Sequence, residues 1–174
     1  MTKSTDRNKY DFSRNWKPNK RHYISFGVSM SIEAINQIKE EVENIFCVNL
    51  KKLRKKKIIY DGVTQDNKSL ILISPSSKLH SRGCGWVDIT KIQKDLASGY
   101  SLAVTAFRLP DRKTYYVDFD KLSEHLSKKA MMNNSHEGDH WKLYIWSEYI
   151  EIRNSKNKLP IRHNALLELA AILK

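Results

Sequence analysis

The residue types that carry chemistry fall in three places along the chain. His136-Glu137-Gly138-Asp139-His140 fits H-E-x-x-H, the spacing that puts two imidazoles on one face of a helix as zinc ligands, with the glutamate as general base. The flanking residues do not make that helix. Asn133-Asn134-Ser135 precedes it, glycine and aspartate fill its middle, and no third ligand follows. A loop is expected there rather than a zinc peptidase centre. Cys84 sits in Arg82-Gly83-Cys84-Gly85, where the guanidinium would lower its pKa and His80 or His140 could act as base for nucleophilic catalysis. With only one further cysteine, Cys47, there is neither a disulfide scaffold nor a thiolate zinc site, and both are expected as free structural thiols. The third place is Lys51-Lys52-Leu53-Arg54-Lys55-Lys56-Lys57, six cations in seven residues. One or two would complement a helix C-terminus; six make a phosphate-binding candidate.

The elements that must position these residues are legible from periodicity. Ile32, Ile35, Ile38, Val42, Ile45, Phe46 and Leu50 recur at helical spacing, so residues 31–50 are expected as a helix capped by Ser31. The period then shortens. Lys57–Tyr60 reads as a strand running into Asp61-Gly62, and Ser69–Ser74 as a buried strand. Residues 75–85 read as a loop. A short helix is expected to start at Asp88 or Thr90, run through Ile92, Gln93 and Leu96, and close at Gly99. Strands are expected at Leu102–Phe107 and Thr114–Phe119, with a helix from Asp120 to Lys129. Residues 132–139 read as loop, Trp141–Ile145 and Tyr149–Arg153 as a hairpin, and Asn164–Lys174 as the last helix.

This order implies an α/β fold, a mixed sheet flanked by helices, and not a doubly wound nucleotide fold. No glycine-rich phosphate loop is present, which argues against nucleotide hydrolysis.

A fourth constellation depends on this order. Asp61 ends one strand, the next ends at Ser74-Pro75-Ser76-Ser77-Lys78, a helix bearing Asp88 and Gln93 follows, and then comes the strand carrying Arg108. Over Ile58 through Leu126 the chain resembles the PD-(D/E)XK nuclease superfamily, which includes many restriction endonucleases and the Holliday-junction resolvases. The stretches Asp88–Leu96, Gly99–Arg108 and Tyr115–Leu122 look like the resolvase-type continuation. The resemblance implies a restriction-endonuclease-like core and Mg²⁺-dependent hydrolysis of phosphodiester bonds. It casts Asp61, Lys78 and Asp88 as catalytic residues, with Asp61 and Asp88 as Mg²⁺ ligands and Lys78 polarising the water or phosphate. Carboxylates suit Mg²⁺ because it is a hard ion bound through oxygen. The chain departs from the pattern at the triplet, where Ser74 replaces the acidic residue and Ser76 the lysine. The alternative is therefore a non-catalytic nucleic-acid-binding module, a specificity or accessory subunit with a lost active site.

Composition agrees with a polyanionic partner. The chain has 174 residues, 31 Lys and Arg against 19 Asp and Glu, and a net charge of +12. Forty per cent hydrophobic residues exclude a disordered polycation. No apolar run reaches the roughly 18 residues that cross a bilayer, and the first residues lack a signal-peptide core. A cytoplasmic protein is expected, with a basic arm at residues 1–22 and one domain at 23–174. The expected partner is double-stranded DNA, bound by a homodimer without a membrane. Lys51, Lys52, Arg54, Lys55, Lys56 and Lys57, with His80, Arg82, Trp86 and Gln93, are the expected nucleic-acid contacts. Trp86 is the best candidate among the aromatics for a ring exposed to bases.

Overall fold

The computed structural model describes residues 32–54 and 58–173. Ser31, the expected arm at 1–22, Lys55, Lys56, Lys57 and the side chain of Arg54 lie outside the described residues. Helix α1 (Ile32–Phe46) buries Ile38, Val42 and Phe46, the inner stripe of the predicted periodicity. It stops four residues before its expected end, because Cys47 takes a left-handed φ of 51°. Glu43 locks the reversal. Its carboxylate accepts from the Leu50 N–H at 2.7 Å and from the Lys39 ammonium at 2.6 Å. Burial acts to raise the Glu43 pKa, but these two bonds and the Lys39 charge outweigh it and hold the carboxyl below its ordinary value.

The basic run therefore begins as a strand rather than a helix end. Strand β1 (Lys51–Arg54) pairs antiparallel with β2 (Ile59–Val63). It is an edge strand, where lysines discourage pairing with other chains. Next is β3 (Ser69–Ile73), antiparallel to β2. The expected loop at 75–85 contains β4 (Ser77–Leu79), which pairs with β5 (Gly85–Thr90). Asp88 and Trp86 thus stand on a strand. Helix α2 (Lys91–Ala97) starts only after Thr90, which forms a capping box with Gln93.

Strands β6 (Leu102–Arg108) and β7 (Thr114–Asp118) follow, then α3 (Phe119–His125), shorter than expected, and a 3₁₀ turn at Lys128–Ala130. The expected loop at 132–139 is instead a hairpin of β8 (Met132–Asn134) with β9 (Gly138–Ile145). Strands β10 (Tyr149–Ile152) and β11 (Lys158–Pro160) and helix α4 (Leu166–Leu173) complete the chain.

One mixed sheet was expected, and the described residues form two. The first has the order β1-β2-β3-β6-β7, with β3 and β6 parallel and the other pairs antiparallel. The second, wholly antiparallel, has the order β11-β10-β9-β5-β4, with β8 also on β9. The first sheet is buried on both faces. Ile59, Ile71, Ile73, Ala103 and Phe107 face one core with Val87, Ile89, Leu143, Ile145, Ile150 and Ile152 of the second sheet. Tyr60, Leu70, Leu72, Leu102 and Val104 face another core with α1 and α4. That is why β3 reads as a continuous apolar run while the second sheet alternates.

Two serines staple the crossing between sheets. Ser74 Oγ donates to the Ala106 carbonyl at 3.1 Å, and Ser77 Oγ donates to the Arg108 carbonyl. Among the described residues no helix is long and apolar enough to cross a membrane.

The crowding of β2 against the segment after α1 can be tested at Gly62. A Cβ there would lie 2.5 Å from the Asn49 carbonyl oxygen and 2.7 Å from Val48 Cγ2. Gly62→Ala is expected to destabilise by about 1–3 kcal/mol in urea unfolding, as overpacking does. Gly99→Ala, whose Cβ would meet only the Leu96 carbonyl at 3.5 Å, should stay within about 0.5 kcal/mol of wild type.

Candidate nucleic-acid interface

The buried residues of all four helices belong to the two cores or to the Thr90–Gln93 cap. No described helix therefore lies over the outer face of the second sheet. Strand alternation decides what that face displays. On β5, Val87 and Ile89 point inward and Trp86 and Asp88 outward; on β9, Trp141, Leu143 and Ile145 point inward and Lys142 and Tyr144 outward. On β10, Ile150 and Ile152 are buried while Tyr149 and Glu151 are half-buried.

Register then aligns one residue from each strand in a row across the sheet. Lys78 on β4 is opposite Trp86, Trp86 opposite Tyr144, Tyr144 opposite Glu151 and Glu151 opposite Lys158. Neighbouring strands stand about 4.8 Å apart, so the row runs continuously across the sheet. The row is five strands wide and carries rings in the middle and ammonium groups at both ends.

The rings hold the cations in place. The Arg82 guanidinium lies 5.2 Å from the Tyr144 ring centre and 5.1 Å from that of Trp146. Lys142 Nζ lies 4.5 Å from the Trp86 ring and Lys158 Nζ 4.1 Å from the Tyr149 ring. Each contact is worth about 0.5–1 kcal/mol at an exposed site. Carboxylates complete the arrangement: Asp88 pairs with Lys142 at 3.3 Å and Glu151 with Arg82 at 3.6 Å. His80 meets the edges of Trp86 and Tyr144, with ring centres 6.0 and 5.1 Å away. Trp146 stacks on Tyr149. The indole N–H groups of Trp86 and Trp146 are buried and have no hydrogen-bond partner.

No protein-family model, curated protein or solved structure matches the chain.

The structure gathers Lys78, His80, Arg82, Trp86 and Asp88 around this face. Gln93 lines a cavity beside Lys78, Trp86 and Asp88 and also holds the start of α2, where its side-chain oxygen accepts from the N–H and hydroxyl of Thr90. Lys51 and Lys52 are exposed on β1, on the other sheet. Asp61 also stands apart. It accepts a 3.0 Å bond from the Tyr100 hydroxyl and lines a cavity of about 470 Å³ with Lys51. Burial first, and then Asp61, push the Tyr100 phenol up, so it stays protonated as the donor.

Lys78, Trp86, Asp88 and Glu137 line a different cavity, of about 320 Å³. Asp61 and Asp88 thus line different cavities. Among the described residues, no group of three or more His, Cys, Asp or Glu is placed to hold a metal.

The H-E-x-x-H pattern does not form a site. His136 is exposed in the turn after β8, while His140 is buried on β9 with Nδ1 2.8 Å from the Gly138 carbonyl. Tyr144, Trp146 and Tyr149 belong to the outer face, and so do Lys142 and Lys158, which no motif singles out. The signal for them is the alternation of Lys142, Tyr144 and Trp146 with Trp141, Leu143 and Ile145.

Cys84 is 3% exposed, and burial raises its pKa more than the Arg82 charge lowers it. Its thiol is therefore protonated at neutral pH and no nucleophile. In the native protein a disulfide-exchange reagent should label the exposed Cys47 quickly. Cys84 should react only at the rate of unfolding, so two equally fast thiols would contradict this placement.

Proposed function

We propose that the protein binds nucleic acid, with unpaired bases stacked on the outer face of the second sheet and the phosphate backbone held by its cationic segments. The observation that carries this is the cross-strand row Lys78–Trp86–Tyr144–Glu151–Lys158 on a sheet face that no described helix covers. A sheet face bearing rings and cations is a general solution to single-strand binding, since every base has a π-face and every linkage a charge. Bases stacked inside a duplex offer no free face, which favours single-stranded or unpaired segments over the duplex expected from sequence.

The charge supports a division of labour. Residues 1–22 carry seven cations and two acids, and residues 51–57 six cations, so these segments hold eleven of the twelve net charges. They supply the salt-dependent, sequence-independent attraction, while the sheet face supplies contacts to bases.

The two contributions separate in a salt titration of oligonucleotide binding. Trp86→Ala and Tyr144→Ala should each weaken binding of a single strand by about 1–3 kcal/mol at every salt concentration, leaving the slope unchanged. Replacing Lys55, Lys56 and Lys57 together by alanine should reduce the slope of log affinity against log salt by about 2, near 0.7 per lost phosphate contact. Binding that is absent, or indifferent to both sets, would overturn the proposal.

A second reading, a Mg²⁺-dependent endonuclease resembling the PD-(D/E)XK enzymes, is favoured by strand order. Helix α1, the antiparallel β1-β2-β3, then α2 and the parallel β6 follow the sequence of elements that the resemblance implies. The cavity at the end of β3 holds Lys78 with two carboxylates, Asp88 and Glu137, and Mg²⁺ commonly binds through one or two carboxylates while keeping several waters. A bound Mg²⁺ would supply Lewis-acid stabilisation of the phosphate, with Lys78 beside it. This reading expects Mg²⁺- or Mn²⁺-dependent cutting of single-stranded, branched or duplex DNA that Asp88→Ala abolishes. Intact substrates under all these conditions would exclude it.

A further inference from the structure

The cavity of about 320 Å³ opens beside the aromatic row, because Lys78 and Trp86 belong to both. Its volume is at the lower end of the range for small-ligand pockets, enough for one ring system. Beside the neutral polar Ser76, Thr90 and Gln93, its walls are of three kinds. Ile58, Pro75 and the Trp86 indole form an apolar slot. Asp88 and Glu137 supply carboxylate acceptors, brought together from β5 and from the turn between β8 and β9. Lys78 supplies an ammonium donor. A strand bound by phosphate contacts alone gains nothing from two carboxylates beside it. Such acids favour a ligand that brings its own N–H donors.

Resting on the single-strand reading above, we propose that this cavity receives one base turned off the platform, and that the base is guanine. Guanine presents two adjacent donors, N1–H and N2–H₂, which match one carboxylate bidentately. It also presents O6 and N7 acceptors for Lys78. Cytosine and adenine offer one amino group each. Thymine and uracil offer a single N–H flanked by two carbonyls, which face the carboxylates unfavourably. Trp86 is shared by the row and the pocket wall, so the turned base lies next to the platform.

The test compares binding, in EDTA, of a strand of ten thymidines with the same strand carrying one central guanine, cytosine or adenine. The guanine strand should bind at least about fivefold more tightly than the all-thymidine strand, the low end of what one bidentate base contact discriminates. Asp88→Asn or Glu137→Gln should reduce that preference to below about twofold. Glu137 lies on an exposed turn, so its variant should keep the fold even if Asp88→Asn, which loses the charge paired with Lys142, does not. Equal binding of all four strands would overturn the guanine pocket and leave the platform standing. Tightest binding of the cytosine or adenine strand, or a guanine preference that survives in Glu137→Gln, would also overturn it. Failure to bind any strand would remove the single-strand reading and this inference with it.

Discussion

The burial of β3 on both faces is the constraint on which the other layers depend. Ile71 and Ile73 point into the core shared with the second sheet, Leu70 and Leu72 into the core covered by α1 and α4, and all four are fully buried. A strand sealed on both sides must have neighbours that complete its backbone hydrogen bonds, because an unpaired buried amide or carbonyl costs as much as a lost bond. Strands β2 and β6 do so. The parallel pairing with β6 requires a crossover, and the crossing chain builds β4, β5 and α2 on the way. The second sheet begins inside that crossover, so its inner face meets the first sheet and its outer face is left for other work.

The outer face is stabilised differently from the cores. A Trp or Tyr on an uncovered strand gains little from burial, and a lone surface ion pair contributes little because salt and side-chain entropy oppose it. Interleaving changes both terms. Arg82 lies against two rings and one carboxylate, and Lys142 against one ring and one carboxylate. Each cation is then partly ordered before any ligand arrives, which lowers the entropic penalty of binding. The same contacts explain why the rings are half-buried although no helix covers them.

The elements most legible in the chain are those whose periodicity reports burial directly. Ile38, Val42 and Phe46 mark α1, and the apolar runs at 69–73 and 102–107 mark the central strands. What stays hidden is the second sheet at its β4–β5 and β8–β9 hairpins. Ser77-Lys78-Leu79 and Met132-Asn133-Asn134 are three residues each, too short for a period and rich in turn formers. Their strand character comes from pairing partners distant from any local signal. The misplacement of Asp88 on a helix has the same origin, since the helix signal of the Thr90 cap extends by two residues into what is β5. At the site, residue types identify Lys78, Arg82 and Trp86, but their alignment with Tyr144 and Lys158 is a matter of register, which no single stretch of sequence contains.

Net charge separates the two ways this chain can meet a polyanion. Outside residues 1–22 and 51–57 the chain is nearly neutral, with 18 cations against 17 acids. A protein that used its folded surface only to attract phosphate would have no reason to balance it so closely. On the sheet face, Asp88 and Glu151 offset half of the charge brought by Lys78, Arg82, Lys142 and Lys158. Coulomb attraction there is correspondingly modest, and discrimination falls to stacking and to hydrogen bonds, which depend on geometry and little on salt. On the proposed single-strand reading, long-range capture belongs to the two cationic segments and recognition to the sheet face. Increasing the charge of the face would raise affinity for every strand equally and leave the preference of one over another unchanged.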